Sequence, residues 1–542
     1  MRNSGGLEYL KLETGNWKLG IALAKGAADC RLLLPTAPFS STPVKSPARA
    51  FALILLSFTA LTVLGDVAVK RPNIIFLMDD QRRWDALGCI DPTMKTPALD
   101  RLAKEGILFA QAVCQAPMCV PSRYSMMLGL YPHQNGILSN GPGLSDAQLP
   151  CDTLPELLRK AGYQTAGFGK THWSAREAST RGFEVRYVST DVEKGAVEMK
   201  TENPEGLKRY YDEVASYGGG EELPAGYLGR TSQVPEGDHR DGWTFNKCLE
   251  FIDKGVDKKR PLFLYLSFLK PHAGANVPPG YEELYKLSEM PVPKQPPLEQ
   301  VEPCHATGSD RQEMYRSFWS QATQEQWQQM VLRYRANCSW IDSMFGRVMD
   351  KLRTEGLLEN CLIVYVSDHG EMLGERYYRF NKYCLFDASV RVPMILSGTA
   401  IPADKRGMTD HRLAEEVDLY PTLAAIAGLP SITNKPGENL LGPSARKANF
   451  CEYSDRPAKV AFMWRTSERK LILTFPKTCI QTGSVSLADV TAGEFYDLKS
   501  DPKEWKNLYA KDEFKADQEQ MAAELVHHLN NVALKKARSS IQ

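Results

Sequence analysis

This chain lacks any sizeable excess of charge of one sign. Its 542 residues carry 66 Lys and Arg against 65 Asp and Glu, so no global basic field exists to attract nucleic acid. Cysteine is also scarce: twelve in the whole length is far below a disulfide-built scaffold. Nor does any apolar run suit a membrane span. The longest, Phe51 to Gly65, is broken by Ser57, Thr59 and Thr62, and a bilayer needs roughly 20 apolar residues. A disordered chain is excluded in turn, because 43% of the residues are hydrophobic while the charges cancel. What remains is a large globular protein, long enough for two or three domains, whose function resides in local sites.

Lys45 and Arg49 precede the apolar run and Val63-Leu64-Gly65 closes it, the order of a secretory signal. An uncleaved anchor and a buried core element are the alternatives. Signals begin near the first residue, whereas residues 1–43 show no hydrophobic pattern. The expectation is therefore a leader over residues 1–65, with the true start near Val44, a non-Met start codon in a bacterial gene. Its removal takes away seven basic and three acidic residues, leaving 59 against 62 and a net charge of −3. The expected location is periplasmic or secreted, without stable membrane insertion.

Asn73 to Asp80 (NIIFLMDD) is a continuous apolar run ending in two carboxylates, which predicts a strand buried on both faces of a parallel sheet. Thr96-Pro97 starts a helix that Gly106 ends. Further buried strands are expected at Leu262–Phe268 and Leu362–Val366, with an amphipathic helix over Glu325–Leu352. This alternation predicts an α/β fold. The polar stretch 185–245 reads as a surface insertion and the Pro-rich 289–304 as an extended loop. From about residue 445 short alternating segments predict a small antiparallel sheet, followed by a helix with Met521, Leu525, His528 and Val532 on one face. The expected division is a catalytic domain over 66–444 and a C-terminal α+β subdomain over 445–542.

Polar residues gather at the C-terminal ends of the predicted strands, the edge where open α/β sheets bind ligands. Asp79 and Asp80 end one strand; Asp368 and His369 end another. A single acidic pair is often a solvated turn. Two such groups on one edge form a hard-cation site, oxygen donors suiting Ca²⁺ or Mg²⁺, although the histidine would also suit a transition metal.

Between them lies Cys119-Val120-Pro121-Ser122-Arg123, followed by Tyr124-Ser125-Met126-Met127-Leu128-Gly129. Here the chain resembles the type I sulfatases of the alkaline phosphatase superfamily. The likeness runs from about residue 71 to 509. It includes Phe168-Gly169-Lys170-Thr171-His172-Trp173, Lys270-Pro271-His272, Gly374-Glu375 through Asn381-Lys382, Val417–Leu423 and Phe495-Tyr496-Asp497-Leu498. It departs from the family pattern at Met127, Leu128, Thr171, Trp173, Ala273-Gly274 and Arg376. Those from Thr171 onward are expected to alter the substrate pocket.

The resemblance implies a large, mostly parallel sheet flanked by helices, with a smaller C-terminal antiparallel-sheet subdomain. It also implies that a formylglycine-generating enzyme oxidises Cys119 to an aldehyde whose hydrate is the nucleophile. Asp79, Asp80, Cys119, Asp368 and His369 would hold one Ca²⁺, with Mg²⁺ second choice. Arg123, one helical turn beyond Cys119, would support the hydrate. Lys170 and His172 would share a face if the chain is extended; Lys170 is assigned to the hydrate and sulfate oxygens, and His172 to the base that releases sulfate. His272 and Lys382 are assigned to sulfate binding and leaving-group protonation, and His133 to the pocket lining or to a turn. The implied substrate is a sulfate ester, a sulfated glycan or small molecule, with an aryl sulfate second. A phosphonate monoester or phosphodiester hydrolase is the alternative chemistry. A non-catalytic carbohydrate-binding relative is the alternative class.

Overall fold

The computed structural model describes residues 8–14, 17–23, 70–173, 180–189, 196–216, 220–297, 305, 310–454 and 458–535. Within Met1–Val69, β1 (Glu8–Thr14) and β2 (Trp17–Leu23) pair antiparallel, with Thr14 opposite Trp17. That strand pair was not expected from the sequence. The expected signal run and Val44 lie outside the described residues.

The second unit, Lys70–Gln542, is built around strands that the apolar runs dictate. In chain order they are β3 (Asn73–Asp80), β4 (Ile107–Val113), β5 (Gln164–Gly169), β6 (Val185–Val188), β7 (Val197–Glu198), β8 (Arg230–Thr231), β9 (Leu262–Pro271), β10 (Asn276–Val277), β11 (Cys361–Ser367), β12 (Met394–Ser397) and β13 (Met408–Glu415). Nine of them form one sheet in the order β13-β4-β12-β11-β3-β9-β5-β6-β7, and β8 pairs with β10 apart from it. Only β12 runs against its neighbours. The chain therefore leaves β3, β4, β5, β9 and β11 at the same edge of the sheet, where parallel strands present ligand sites.

Successive side chains of a strand face opposite ways, and β3 serves two cores in this manner. Ile74, Phe76 and Met78 join a cluster with Val120, Tyr124, Leu154, Leu419 and Leu423. Ile75 and Leu77 join another with Phe245, Ile252, Ile341 and Phe345. One face is thus covered by helices Cys119–Leu128, Leu154–Lys160 and Leu419–Ile426. The other is covered by Pro97–Glu105, Arg240–Lys254 and the 31-residue Gln324–Thr354. In the last, Thr323 accepts a bond from Gln326 N at the N-cap.

The stretch 185–245 is not the surface insertion expected. β6 and β7 extend the main sheet, and Tyr210, Tyr227, Trp243 and Phe245 are buried. Single aromatics spaced among polar residues anchor it, a pattern that averaging over a window conceals.

Beyond residue 445, β14 (Asn449–Tyr453), β15 (Lys459–Arg465), β16 (Arg469–Pro476) and β17 (Ala492–Asp497) form an antiparallel sheet in chain order. One face, with Phe462, Leu471, Leu473 and Phe475, packs on Met521 and Leu525 of helix Lys515–His528. The other, with Cys451, Met463, Ile472 and Tyr496, belongs to the core under helix Cys119–Leu128.

Leu264 of β9 is fully buried between β3 and β5. Leu264→Ala is expected to cost about 2–5 kcal/mol, read as a lower urea midpoint with an unchanged slope.

Candidate active site

Residue 119 is the first residue of helix Cys119–Leu128, whose ten residues are all buried. Gly129 ends the helix with a left-handed φ of 61°. A Cβ there would lie 2.8 Å from the Cβ of Tyr420, so only glycine fits. Within the motif, Ser122 Oγ sits 2.6 Å from both the Asp368 carbonyl and the Glu416 carboxyl. Burial pushes Glu416 well above the usual carboxylate range.

Arg123 reaches back as its helical position requires. Its Nε donates to Asp368 Oδ2 at 2.7 Å and its Nη2 to Asp80 Oδ2 at 3.1 Å. Nη1 donates to the Lys170 carbonyl at 2.6 Å and to Ser267 Oγ at 3.0 Å. The guanidinium thus serves the carboxylates and the strand ends rather than facing open space.

Asp80, Cys119, Asp368 and His369 are all buried, and each offers a donor atom within 4.8 Å of the others. His369 Nδ1 lies 3.0 Å from the Gly370 carbonyl; donation there leaves the Nε2 lone pair free, and Nε2 is 3.1 Å from Cys119 Sγ. Such a backbone contact is how proteins fix the tautomer of a metal-binding histidine. Asp79 stands slightly apart, its Oδ2 bonded to Arg82 and Tyr365. Its buried Oδ1 has no partner among the described residues, and burial pushes its pKa up to about 6. Carboxylate oxygens, one imidazole and an orphaned buried oxygen fit a divalent cation.

Two ammonium groups face the same point. Lys170 Nζ is 2.5 Å from Asp80 Oδ2 and 3.6 Å from Cys119 Sγ, and Lys382 Nζ is 3.2 Å from that sulfur. Burial pushes Asp80 up, but Lys170, His272, Arg123 and Lys382 outweigh it and hold the carboxyl well below its usual range. Cys119 behaves likewise: burial and Asp80 raise it, while Lys170, Lys382 and His369 bring the thiol well below its ordinary value.

His272 follows β9, its Nε2 3.3 Å from Glu222 Oε1. Lys270 Nζ secures this turn through the carbonyls of His272, Ala273 and Gly274. His172 departs from the extended geometry assumed for it. Its φ is 55°, so alternation does not put it beside Lys170, and its buried Nδ1 has no partner among the described residues. His133 pairs with Glu452 instead of any group at the cluster. Trp173 does not shape a pocket as expected but stacks on Phe183 within the core. Arg376 bonds Tyr496 and the Glu504 carbonyl and lines a cavity with Arg83, Trp84 and Lys503.

Sequence reasoning missed a supporting network. Gln81 has a left-handed φ of 68° and its Oε1 accepts from Lys382 Nζ at 2.8 Å. Its amide donates to Glu371, which also accepts from Tyr227 at 3.0 Å and from the backbone N–H groups of Leu373 and Asn381. All four side chains are buried. The one available signal was adjacency, Gln81 following the aspartate pair directly.

A Sulfatase family model matches residues 72–429, and a model described as N-sulphoglucosamine sulphohydrolase, C-terminal matches 374–531. A sulfatase of Formosa agariphila is 28% identical over 479 residues, covering 84% of this chain and 86% of that one. An N-acetylglucosamine-6-O-sulfatase of Bacteroides thetaiotaomicron is 26% identical over 520 residues (83% and 85%), and a choline-sulfatase of Rhizobium meliloti 30% over 368 (66% and 68%). Among solved structures, a phosphonate monoester hydrolase of Agrobacterium radiobacter shares the fold with TM-score 0.66 at 22% identity, covering 84% of this chain and 95% of that one. A protein solved with its substrate D-glucosamine-2-N,6-O-disulfate has TM-score 0.64 at 23% identity, covering 86% and 100%. With the family model spanning most of the chain and the motif residues converging on one buried cluster, the chain belongs to the sulfatase family, enzymes that hydrolyse sulfate esters.

Proposed function

We propose that this sulfatase removes sulfate from a carbohydrate, that Cys119 is converted to formylglycine, and that Asp79, Asp80, residue 119, Asp368 and His369 hold one calcium ion. The observation that carries the reading is the setting of residue 119, with ammonium groups 3.2 and 3.6 Å from its Sγ and the ligand cluster around it. When present, the ion and the hydrated aldehyde supply an ionised oxygen nucleophile at neutral pH.

The chain's own groups supply the rest. Lys170 and Lys382 set fixed positive charge against the sulfonate oxygens in a site screened from water, where such charge acts most strongly. Arg123 fixes the two carboxylates that define the ligand cluster. His272, oriented by Glu222, protonates the leaving alcohol oxygen, and His172 accepts the proton that residue 119 gives up as sulfate departs. Gln81 holds Lys382 in line.

Support for a glycan comes from relatives: the N-acetylglucosamine-6-O-sulfatase, an ulvan-active sulfatase of Formosa agariphila 28% identical over 491 residues, and the glucosamine disulfate complex. The preceding apolar run supports export to the periplasm or beyond. No helix among the described residues is long and apolar enough to cross a membrane. A formylglycine-generating enzyme is the maturation partner.

Mass spectrometry of the peptide carrying residue 119, from protein made in its native host, is expected to show the thiol replaced by an aldehyde. An intact thiol in active enzyme refutes the nucleophile. Asp368→Ala is expected to abolish both turnover of 4-nitrophenyl sulfate and the calcium-dependent rise in melting temperature; retained turnover contradicts the metal assignment. His272→Ala should lower kcat by about 10²–10⁴, with a smaller loss for aryl esters whose leaving groups need no proton. Equal losses across leaving groups would remove His272 as the acid.

A further inference from the structure

A cleft lined by no residue of the reactive cluster has Arg83 and Asp85, shortly after β3, in its wall and a volume of about 370 Å³. That is the size of a small-ligand site. Its walls come from Pro291–Lys294, from helix Gln324–Thr354 at Tyr334 and Arg335, and from Lys503 and Trp505 in the C-terminal part.

The charges in it do not balance. Asp85 and Glu375 pair with Arg83, Glu375 also with Lys503, and Asp91 with Arg335. Lys294 is left over. It is exposed, and among the described residues its ammonium has no ion pair or hydrogen bond. The cleft therefore carries one positive charge in excess. Trp505, half-buried in the same cleft, makes no ring contact or hydrogen bond among the described residues. An indole joins a broad apolar face to one N–H donor. Such a face suits the C–H side of a pyranose, and its donor suits a ring hydroxyl.

The cleft also adjoins the chemistry. Tyr334, on its wall, accepts from Arg83 N at 2.9 Å and donates to the Gln81 carbonyl at 3.2 Å, and Gln81 is the residue that holds Lys382.

We propose that this cleft binds a second, anionic sugar residue of the glycan whose sulfate ester is cleaved, with the ring on Trp505 and its sulfate or carboxylate on Lys294. The inference rests on the carbohydrate reading above and extends it from a single sulfated sugar to a chain. Every acid in the cleft already has a cation, so an anionic ring meets no unpaired carboxylate there.

The test compares Trp505→Ala and Lys294→Ala with the unaltered enzyme on 4-nitrophenyl sulfate and on sulfated tetrasaccharides from heparin, chondroitin sulfate, ulvan and carrageenan. For the tetrasaccharide that is turned over, each variant is expected to raise KM about tenfold, with 4-nitrophenyl sulfate kinetics unchanged. The Lys294→Ala effect should shrink in high salt. Unchanged KM for the tetrasaccharide overturns the cleft and leaves the carbohydrate reading standing. An equal loss on both substrates assigns the two residues to the fold and also overturns it. Turnover of 4-nitrophenyl sulfate with none of any tetrasaccharide overturns both readings.

Discussion

Every part of this active site depends on charge held out of water. Asp80 and Asp368 are both fully buried, and leaving either uncompensated would cost several kcal/mol. Arg123 resolves this with one planar group. It bonds both carboxylates, the Lys170 carbonyl, Tyr265 and Ser267, and so ties the ends of β3, β5, β9 and the segment after β11 to the nucleophile helix. A lysine could not do this, having a point charge and no fork. The helix places Arg123 one turn beyond residue 119, so the geometry of the reactive position and the neutrality of its surroundings have the same origin.

Around that fixed point the fold divides its labour. The parallel sheet brings five strand ends to one edge, and each contributes a side chain from its last residues or from the segment that follows it. The supporting groups come from loops: Gln81 beyond the aspartates, Glu222 before β8, and Glu371 beyond His369. Gln81 has a left-handed backbone just beyond the point where β3 shifts register against β9, a local cost that surrounding bonds must offset. Its amide joins Lys382 to Glu371, and the Glu371 carboxylate in turn closes the 371–382 loop on itself.

Much of this was legible in the sequence, for identifiable reasons. Buried parallel strands write themselves as unbroken apolar runs, so β3, β9 and β11 were readable, as were the acids at the ends of β3 and β11. Helix Gln324–Thr354 was readable from its period. The positions of Asp80, Cys119, Arg123, Lys170, Asp368, His369 and Lys382 followed from motif order, and they converge. Other features had no local signature. The segment 185–245 is polar on average yet hangs on isolated aromatics, and β14 is short and buried on both faces, without alternation. Lys170 and His172 satisfy a two-residue spacing, but spacing implies a shared face only if the backbone stays extended, and His172 does not. Glu222 and Glu371 resemble any other acid in sequence, because their meaning lies largely in side-chain partners far along the chain, His272 for one and Gln81 and Tyr227 for the other.

The C-terminal sheet has a consequence for how the enzyme comes into being. Its inner face, with Met463, Ile472 and Tyr496, completes the same core that packs under the nucleophile helix. During synthesis from the N-terminus, that core stays open until β16 and β17 have emerged. The residues of the reactive cluster are all in the chain by Lys382, yet the apolar surface beneath them has no cover for another hundred residues or so of growth. The enzyme is therefore vulnerable to aggregation late in its synthesis rather than early, and a shortened product would carry a complete set of catalytic residues on an unfinished core.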